Sequence, residues 1–574
     1  MLRIVSSKGE LFPSEQQSLD WKELFHVLTS NSDLKSWTFS LPKHARNLAV
    51  LRDFILLDSP RLKDVSIDVS IELFGREWSR GPLWFIDENP EEYRVSFAGR
   101  LGAFVKQIEG KNIRDFSYSD PVISDMYDHA ATILNAPGNY DYVFAPVELP
   151  SIGAKVWHPA QLNSVLVDQN GDFDRYADTF TVFDAEPYDS TLYYYPGDNV
   201  SFNGNFYSAT RFVEPNEGPV STPGKWEFII LQNNIWYVPV VPFFYVLNIL
   251  ETVFDQLGIN LKGEIFSNGE IRKLLFFNVT TLNDEDDEGL ITVAANTQII
   301  YANHIPDVTV KDLVRELATW FNQRLDFSVN DNSLTMVHRT EVFTNSISSA
   351  LENRLIRIEV QHKEKRTYNL SSEYNPEDFK TLVLGWNGSL EGVDGEEGSE
   401  DISSSFGSLP MVYGFREVNP SWVQYAGDPP LSDKYPGYMW RPASPLNLND
   451  DVPKQFLFWR GLHIYTGGTW GNDPELPQVS SDFNFNIPGS SFQYTTLWKG
   501  AGGLYQKWWK PYLDPLSLAK VVKLYIIMNQ ASFDRESLLK RQFIDNRVYL
   551  LEEGKYTVKS GEHEAVAEIV ALKL

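Results

Sequence analysis

Between Val65 and Leu73 every second residue is a bulky aliphatic one: Val65, Ile67, Val69, Ile71 and Leu73 alternate with Ser66, Asp68, Ser70 and Glu72. A period of two places the two sets on opposite faces of a pleated strand, so this stretch belongs in a sheet with one buried face and one wet face. It ends at Phe74-Gly75. Further turn signals at Arg80-Gly81-Pro82 and Asn89-Pro90-Glu91-Glu92 separate Leu83-Trp84-Phe85-Ile86 from the alternating Tyr93, Val95 and Phe97. The pattern predicts an antiparallel meander, with Trp37–Leu41 as a strand ahead of it. Comparable strands are predicted near the far end, at Val521–Met528, Arg547–Leu551 and Ala565–Leu572, and no fixed-period repeat is found.

Two segments carry the other period. Phe243, Val246, Leu247, Leu250, Val253, Phe254 and Leu257 recur at spacings of three and four, with Pro242 where a helix can begin and Gly258 where it should stop. A second helix is predicted from about Val310 to Asn322, with Thr309 and Asp312 spaced as a capping box and a stripe of Val310, Leu313, Val314, Leu317 and Phe321. Strands at Gln298–Tyr301, Leu325–Val329 and Leu334–Val337 flank it, which describes an α+β domain. Between about 120 and 190 the periodicity is weaker, with a helical patch near Val122–Leu134. Residues 388–408 are acidic and rich in Gly and Ser, and are expected to form a mobile loop or an ordered surface excursion.

At roughly 150 residues per domain, 574 residues make about three or four domains. Fifty Lys and Arg against 77 Asp and Glu leave a formal net charge of −27. That is the wrong sign for holding nucleic acid by neutralising phosphates, so stable nucleic-acid binding is not expected. Without cysteine there is no disulfide framework, thiolate zinc site, iron–sulfur cluster or cysteine nucleophile. The first residues hold no apolar run of signal-peptide length, so no secretory signal is expected. The most apolar run, Ile235–Leu250, is interrupted by Pro239, Pro242 and Asn248. It falls short of the roughly 20 residues a membrane span needs, and reads as a strand end followed by a buried helix.

Local signatures of catalysis are missing. Gly218 to Trp226 imitates a phosphate loop but has five residues between its glycines, and Trp226 stands where a magnesium-binding hydroxyl belongs. The run Asp284–Gly289 imitates a calcium loop, yet Ala295 occupies the position of the bidentate Glu. Asp168, Asn170, Asp172 and Asp174 around Gly171 read as a polar turn. The nine histidines never fall at i, i+4 spacing, so neither a metal nor a cofactor is expected. Paired carboxylates for glycoside hydrolysis, which can lie far apart in sequence, stay open. No catalytic residue is assigned.

Tyr193 to about Ile230 forms a compact aromatic segment. Pro196-Gly197-Asp198 and Asn203-Gly204 make turns, Val200 and Phe202 alternate inward, and aromatic faces are left for sugar stacking. The segment resembles the short carbohydrate-binding modules of chitinases and related enzymes, with the pattern Y-x-x-G-D-x-V-x-(Y/F)-x-G-x-x-Y-x-A, then a proline, then a tryptophan. The matching residues are Tyr194, Gly197, Asp198, Val200, Phe202, Gly204, Tyr207, Ala209, Pro219 and Trp226. Where that family presents exposed tryptophans just after the alanine, this chain has Thr210-Arg211-Phe212. The candidate sugar-contacting residues are therefore Tyr193, Phe212 and Trp226.

The rest of the chain resembles the tail hub or baseplate hub proteins of tailed phages, especially those of phages infecting Bacteroidetes-type hosts. The likeness rests on Trp37–Leu41 with the Val65–Leu73 strand and the Gly81–Val95 hairpin, on Phe243–Gly258 with Asn303–Leu313 and Phe321-Asn322, and on Gly503–Tyr512 with Arg547–Leu551. It implies a mostly β, α+β multidomain fold. The domains expected are a β-barrel-like one at 1–120, a connecting region at 121–189, the carbohydrate-binding-like insertion at 190–232, a central α+β domain at 233–345 and a β-rich C-terminal domain with long loops at 346–574. It further implies a homotrimeric ring at the virion's tail tip that joins tube to tip around a passage for DNA. The expected partners are the distal tail or tube protein, the tape measure and tail-tip or fibre proteins, with a host-surface glycan for the module. A chain of −27 suits a passage wall, because like charge discourages DNA from sticking. Trp508 and Trp509 point different ways on any regular element, one to the core and the other to a loop or a subunit contact, and are the candidate interface residues. The alternative is a surface-glycan-binding protein or a polysaccharide-degrading enzyme.

Overall fold

The chain begins with a strand, Leu2–Ser6 (β1), that turns back as Gly9–Leu11 (β2). A computed structural model describes residues 2–13, 19–24, 37–52, 66–97, 99–145, 147–148, 161–163, 165–167, 173–176, 179–181, 188–195, 199–203, 205–229, 235–237, 239–285, 291–292, 297–360, 368–372, 400–408, 451–464, 475–480, 494–496, 498, 503–529, 532, 535–558 and 564–574. Leu19–Leu24 (β3) leaves for another sheet. Trp37–Pro42 (β4), Ser66–Leu73 (β5), Arg76–Glu88 (β6) and Glu92–Phe97 (β7) complete a six-stranded antiparallel sheet in the order β2-β1-β5-β6-β7-β4. Alternation in β5 buries Ile67, Val69, Ile71 and Leu73, as its period of two requires; Val65 lies outside the described residues. Phe74 and Gly75, both at positive φ, close the β5–β6 hairpin.

The expected turn at Arg80-Gly81-Pro82 does not occur. β6 runs through it, with Gly81 opposite Val69 and Pro82 opposite Asp68. β7 begins to pair with β6 only at Leu83, so Pro82 sits where that side of β6 is still an edge and its missing donor costs little.

Helices Arg100–Ile108 (α1) and Met126–Asn135 (α2) follow, the second capped by Asp125, which accepts from the amides of Tyr127 and Asp128. Thr179–Thr181 (β8) pairs with Ile235–Tyr237 (β12). Between them lies a three-stranded sheet of Asn199–Phe202 (β9), Asn205–Ala209 (β10) and Trp226–Ile229 (β11). Val246–Gln256 (α3) begins later than its pattern suggested, because Phe243-Phe244 pair with Tyr142-Val143 first; it ends at Gly258, whose φ of +66° stops it.

Asn260–Lys262 (β13) lies parallel to Ser333–His338 (β15), which is antiparallel to Gln323–Ser328 (β14). Between them runs Val310–Trp320 (α4), with the Thr309 hydroxyl accepting from the amide of Asp312 at 3.1 Å. Gly263 follows β13 at φ +126°, where a Cβ would stand 2.2 Å from the carbonyl oxygen of Met336. Gly263→Ala is therefore expected to cost at least about 2 kcal/mol through strain and overlap with backbone that cannot move aside. Thermal unfolding checks this; an unchanged midpoint would show that β13 can shift.

Leu355–Val360 (β16), Tyr368–Ser372 (β17) and Glu400–Ser404 (β18) follow, β17 and β18 pairing in parallel. The acidic segment is thus not a loose excursion in its described part, for Ile402 and Phe406 are buried; residues 388–399 lie outside the described residues. Helix Lys510–Leu518 (α5) leads to Lys520–Met528 (β19), Gln542–Ile544 (β20), Arg547–Val558 (β21) and Ala565–Lys573 (β22). These form the second six-stranded sheet in the order β16-β19-β22-β21-β3, with β20 also on β21. The two six-stranded sheets share one core, in which Ile4, Ile71 and Phe85 meet Leu524, Tyr549 and Ile569. Helices α1 to α5 cluster around the other large core, which also takes in Val521, Leu550 and Leu572 of the second sheet. The fold is α+β and mostly β.

Candidate functional site

The inserted module has its own core of Tyr194, Val200, Ala209, Val213 and Trp226, with Tyr188 and Tyr207 packed against it. Asn203, at φ +53°, takes the left-handed position that the two-residue β9–β10 turn requires. Tyr194 and Val213 exchange backbone hydrogen bonds of 3.1 and 2.9 Å, which ties the approach to β9 to the loop after β10. Along that short extended run the alternation turns Tyr194 inward and Tyr193 and Tyr195 outward.

Tyr193 is 59% exposed, Tyr195 61% and Phe212 43%. Tyr193 stacks on Phe212 with centroids 5.8 Å apart and planes 17° apart, and Tyr195 tilts against the same Phe212 at 5.5 Å and 57°. These three rings form one exposed aromatic ridge, two of them carrying a phenolic hydroxyl. Such rings offer an apolar face to the C–H face of a sugar and polar tips to its hydroxyls.

Trp226 does not join them. It is 5% exposed, its indole N–H donates to the carbonyl of Glu217 at 2.9 Å, and its ring meets Tyr194 and Tyr188 edge-on. Its place is the module core, because β11 turns it inward opposite Ala209. Tyr195 was missed by the sequence reading, although the run Tyr193-Tyr194-Tyr195 held the signal: if the middle ring is inward, both neighbours are outward.

Trp509 is buried, with its indole N–H donating to the carbonyl of Thr319 at 2.9 Å, which makes it core and unavailable to a neighbouring subunit. Trp508 is half-buried and packs on Phe321, His338 and Tyr494, the last at 5.2 Å. A π-helical turn at Tyr505–Trp509 lets both adjacent tryptophans face the same body. Instead of one ring facing the core and the other a loop, both pack against the central core, and the contacts described for them are made within the chain.

Elsewhere the titratable groups serve packing. His304 is buried, its ring stacked on Phe244; burial pushes its pKa down to about 4 against a hydrogen bond to the Thr280 backbone. Burial also raises the pKa of the stacked Tyr118 and Tyr301. Among the described residues no three His, Asp or Glu gather as a metal site, and no helix is long and apolar enough to cross a membrane. Asp284-Glu285 form a short ladder with Ile291-Thr292, while 286–290 and most of the Asp168–Asp174 turn lie outside the described residues.

No protein-family model matches the chain, and neither does any curated protein. Solved structures that align with the whole of it include two tail proteins. One is the 43 kDa tail protein of prophage MuSo2 from Shewanella oneidensis, at 6% identity and a TM-score of 0.33 over 97% of that chain. The other is a tail protein from Neisseria meningitidis MC58, at 8% identity and a TM-score of 0.29 over 96% of that chain. Both neighbours are tail proteins.

Proposed function

We propose that this chain is a structural protein of a phage tail, one subunit of a homotrimeric hub ring at the distal end. There it would meet the distal tail or tube protein, the tape measure and the tip or fibre proteins around a passage for DNA. The observation that supports this reading best is the packing of the two six-stranded sheets into one β-sandwich beside the central α+β core. The three stretches that resemble hub proteins fall on the first sheet, on the α3–α4 unit and on α5 with the second sheet. A subunit held between tube and tip has to bear load. Here the strands of both sheets lie in antiparallel ladders, so a pull is shared among many backbone hydrogen bonds.

The module, entered and left through the β8–β12 ladder, is assigned a weak contact with host-surface glycan through Tyr193, Tyr195 and Phe212, strengthened by repetition around the ring. Electron microscopy of the native particle with an antibody to this chain tests the hub role. A three-fold ring at the tail tip is expected, and label elsewhere on the particle would overturn it. Retention on insoluble chitin or cell-wall glycan tests the module. Phe212→Ala is expected to cut retention at least tenfold with the module still folded, whereas Trp226→Ala should unfold it at a cost of about 3–5 kcal/mol. Retention unaffected by Phe212→Ala would remove the sugar role.

A further inference from the structure

We infer that β16 is a contact strand between copies of this chain, pairing antiparallel with β16 of a second copy about a two-fold axis. β16 ends its sheet: one side pairs with β19, and the other meets no strand among the described residues. Such an edge presents backbone donors and acceptors to any strand that fits. The register jumps from Leu355 opposite Ile526 to Arg357 opposite Tyr525, so Ile356 is the bulged residue, and it is exposed. Val360 is exposed at the other end of the strand, and Leu518, Val566 and Leu574 add exposed apolar surface on or beside the same sheet.

Charge identifies the occupant. Two copies at −27 each repel unless they meet where charge is balanced. Residues 1–120 and 520–574, which supply every strand of the sandwich except β16, hold 25 Lys and Arg against 26 Asp and Glu, leaving 25 and 51 for residues 121–519. β16 itself carries one of each sign. Arg357 and Glu359 lie 2.8 Å apart on one face, both more than two-fifths exposed, with Arg357 over the ring of Tyr525 at 4.2 Å. In an antiparallel pair centred on Ile358, Arg357 stands opposite Glu359 of the partner subunit, and the reverse pair forms by symmetry. Ile356 then meets Val360 of the partner subunit. The strand is self-complementary in charge and in apolar character, which a second copy satisfies without any other partner.

The contact does not depend on the ring; added to a three-fold ring it would join two rings. The test is native mass spectrometry and sedimentation of the full chain, its Arg357→Glu and Glu359→Arg variants and the double variant, with circular dichroism to confirm folding. An even number of 65.7 kDa copies is expected. Each single reversal sets like charges opposite one another twice, and is expected to halve the assembly and raise its dissociation constant at least tenfold; the double variant should restore it. A monomer, an odd assembly, indifference to single reversal or failure of the double variant to recover would each overturn the contact. A trimer untouched by the reversals removes this contact and leaves the hub. A dimer that responds to them, with no ring at the tail tip, keeps the contact and removes the hub.

Discussion

Glu316→Ala is expected to lower stability by about 3–5 kcal/mol and to release residues 400–408 from the body of the protein. Glu316 sits buried on α4. Its carboxylate accepts from the Ser404 hydroxyl at 2.6 Å, from the Ser405 amide at 3.0 Å and from the Ser405 hydroxyl at 2.9 Å, and Arg315 approaches the same group at 3.2 Å. One turn further along, Trp320 donates its indole N–H to Ser404 Oγ, so two residues of one helix face hold the end of β18. Truncation at 316 would remove the acceptor shared by the buried Ser404 hydroxyl and the half-buried Ser405 amide and hydroxyl. Glu316→Gln keeps the volume but turns an amide donor toward other donors, and should cost less than Ala. Thermal unfolding with limited proteolysis reads both effects; an unchanged midpoint and an uncut 400–408 segment would show that the network is dispensable.

Acidification from pH 7 to pH 5 is expected to weaken the central unit by about 2 kcal/mol through His304 alone. Asn278 Oδ1 accepts from the amide of Thr280 at 2.9 Å, which orients its amide nitrogen as the donor to His304 Nδ1 at 3.0 Å. The imidazole is therefore neutral with its proton on Nε2. Adding a second proton would set N–H against N–H in a buried place, and burial holds the pKa near 4. An unfolded histidine titrates near 6.5, so below that pH the unfolded chain takes up a proton that the folded chain refuses. Stability falls as pH drops from 6.5 to about 4 and levels off below. His338 is pushed the same way, to about 4, by burial and by Arg339, against a hydrogen bond to the Trp508 backbone. Urea unfolding at the two pH values, in the wild type and in His304→Gln, isolates the contribution. If the variant keeps the full acid sensitivity, carboxylates rather than His304 are its source.

The elements whose cause is local were legible in the sequence. α3 and α4 follow from apolar residues three and four apart with a glycine stop and a Thr309 cap; β5 and β19 follow from alternation; the module follows from its turn residues and inward valine. Each signal lies within a dozen residues, where backbone geometry alone decides which side chains share a face. Trp226 and Tyr195 show the limit of this legibility: composition marked both as aromatic, but only the pairing of β11 with β10 turns Trp226 inward, and only the bridge at Tyr194 turns Tyr195 outward.

Long-range choices belong to the tertiary structure. Nothing near Leu19–Leu24 says that this strand leaves the first sheet to pair with β21 more than 500 residues away, or that β6 continues through Gly81 and Pro82. Glu316, lying among Leu313, Leu317 and Trp320, reads as the solvated side of a helix until Ser404 and Ser405 arrive from β18 to satisfy it. Sequence determined the periods, the caps, the turns and the net charge, because these depend on neighbours along the chain. Only the folded chain decided which strands share an edge, which carboxylate is buried and which aromatic rings stay at the surface. Many pairings satisfy the same local pattern, and the one adopted is set by how all the apolar faces can be covered at once.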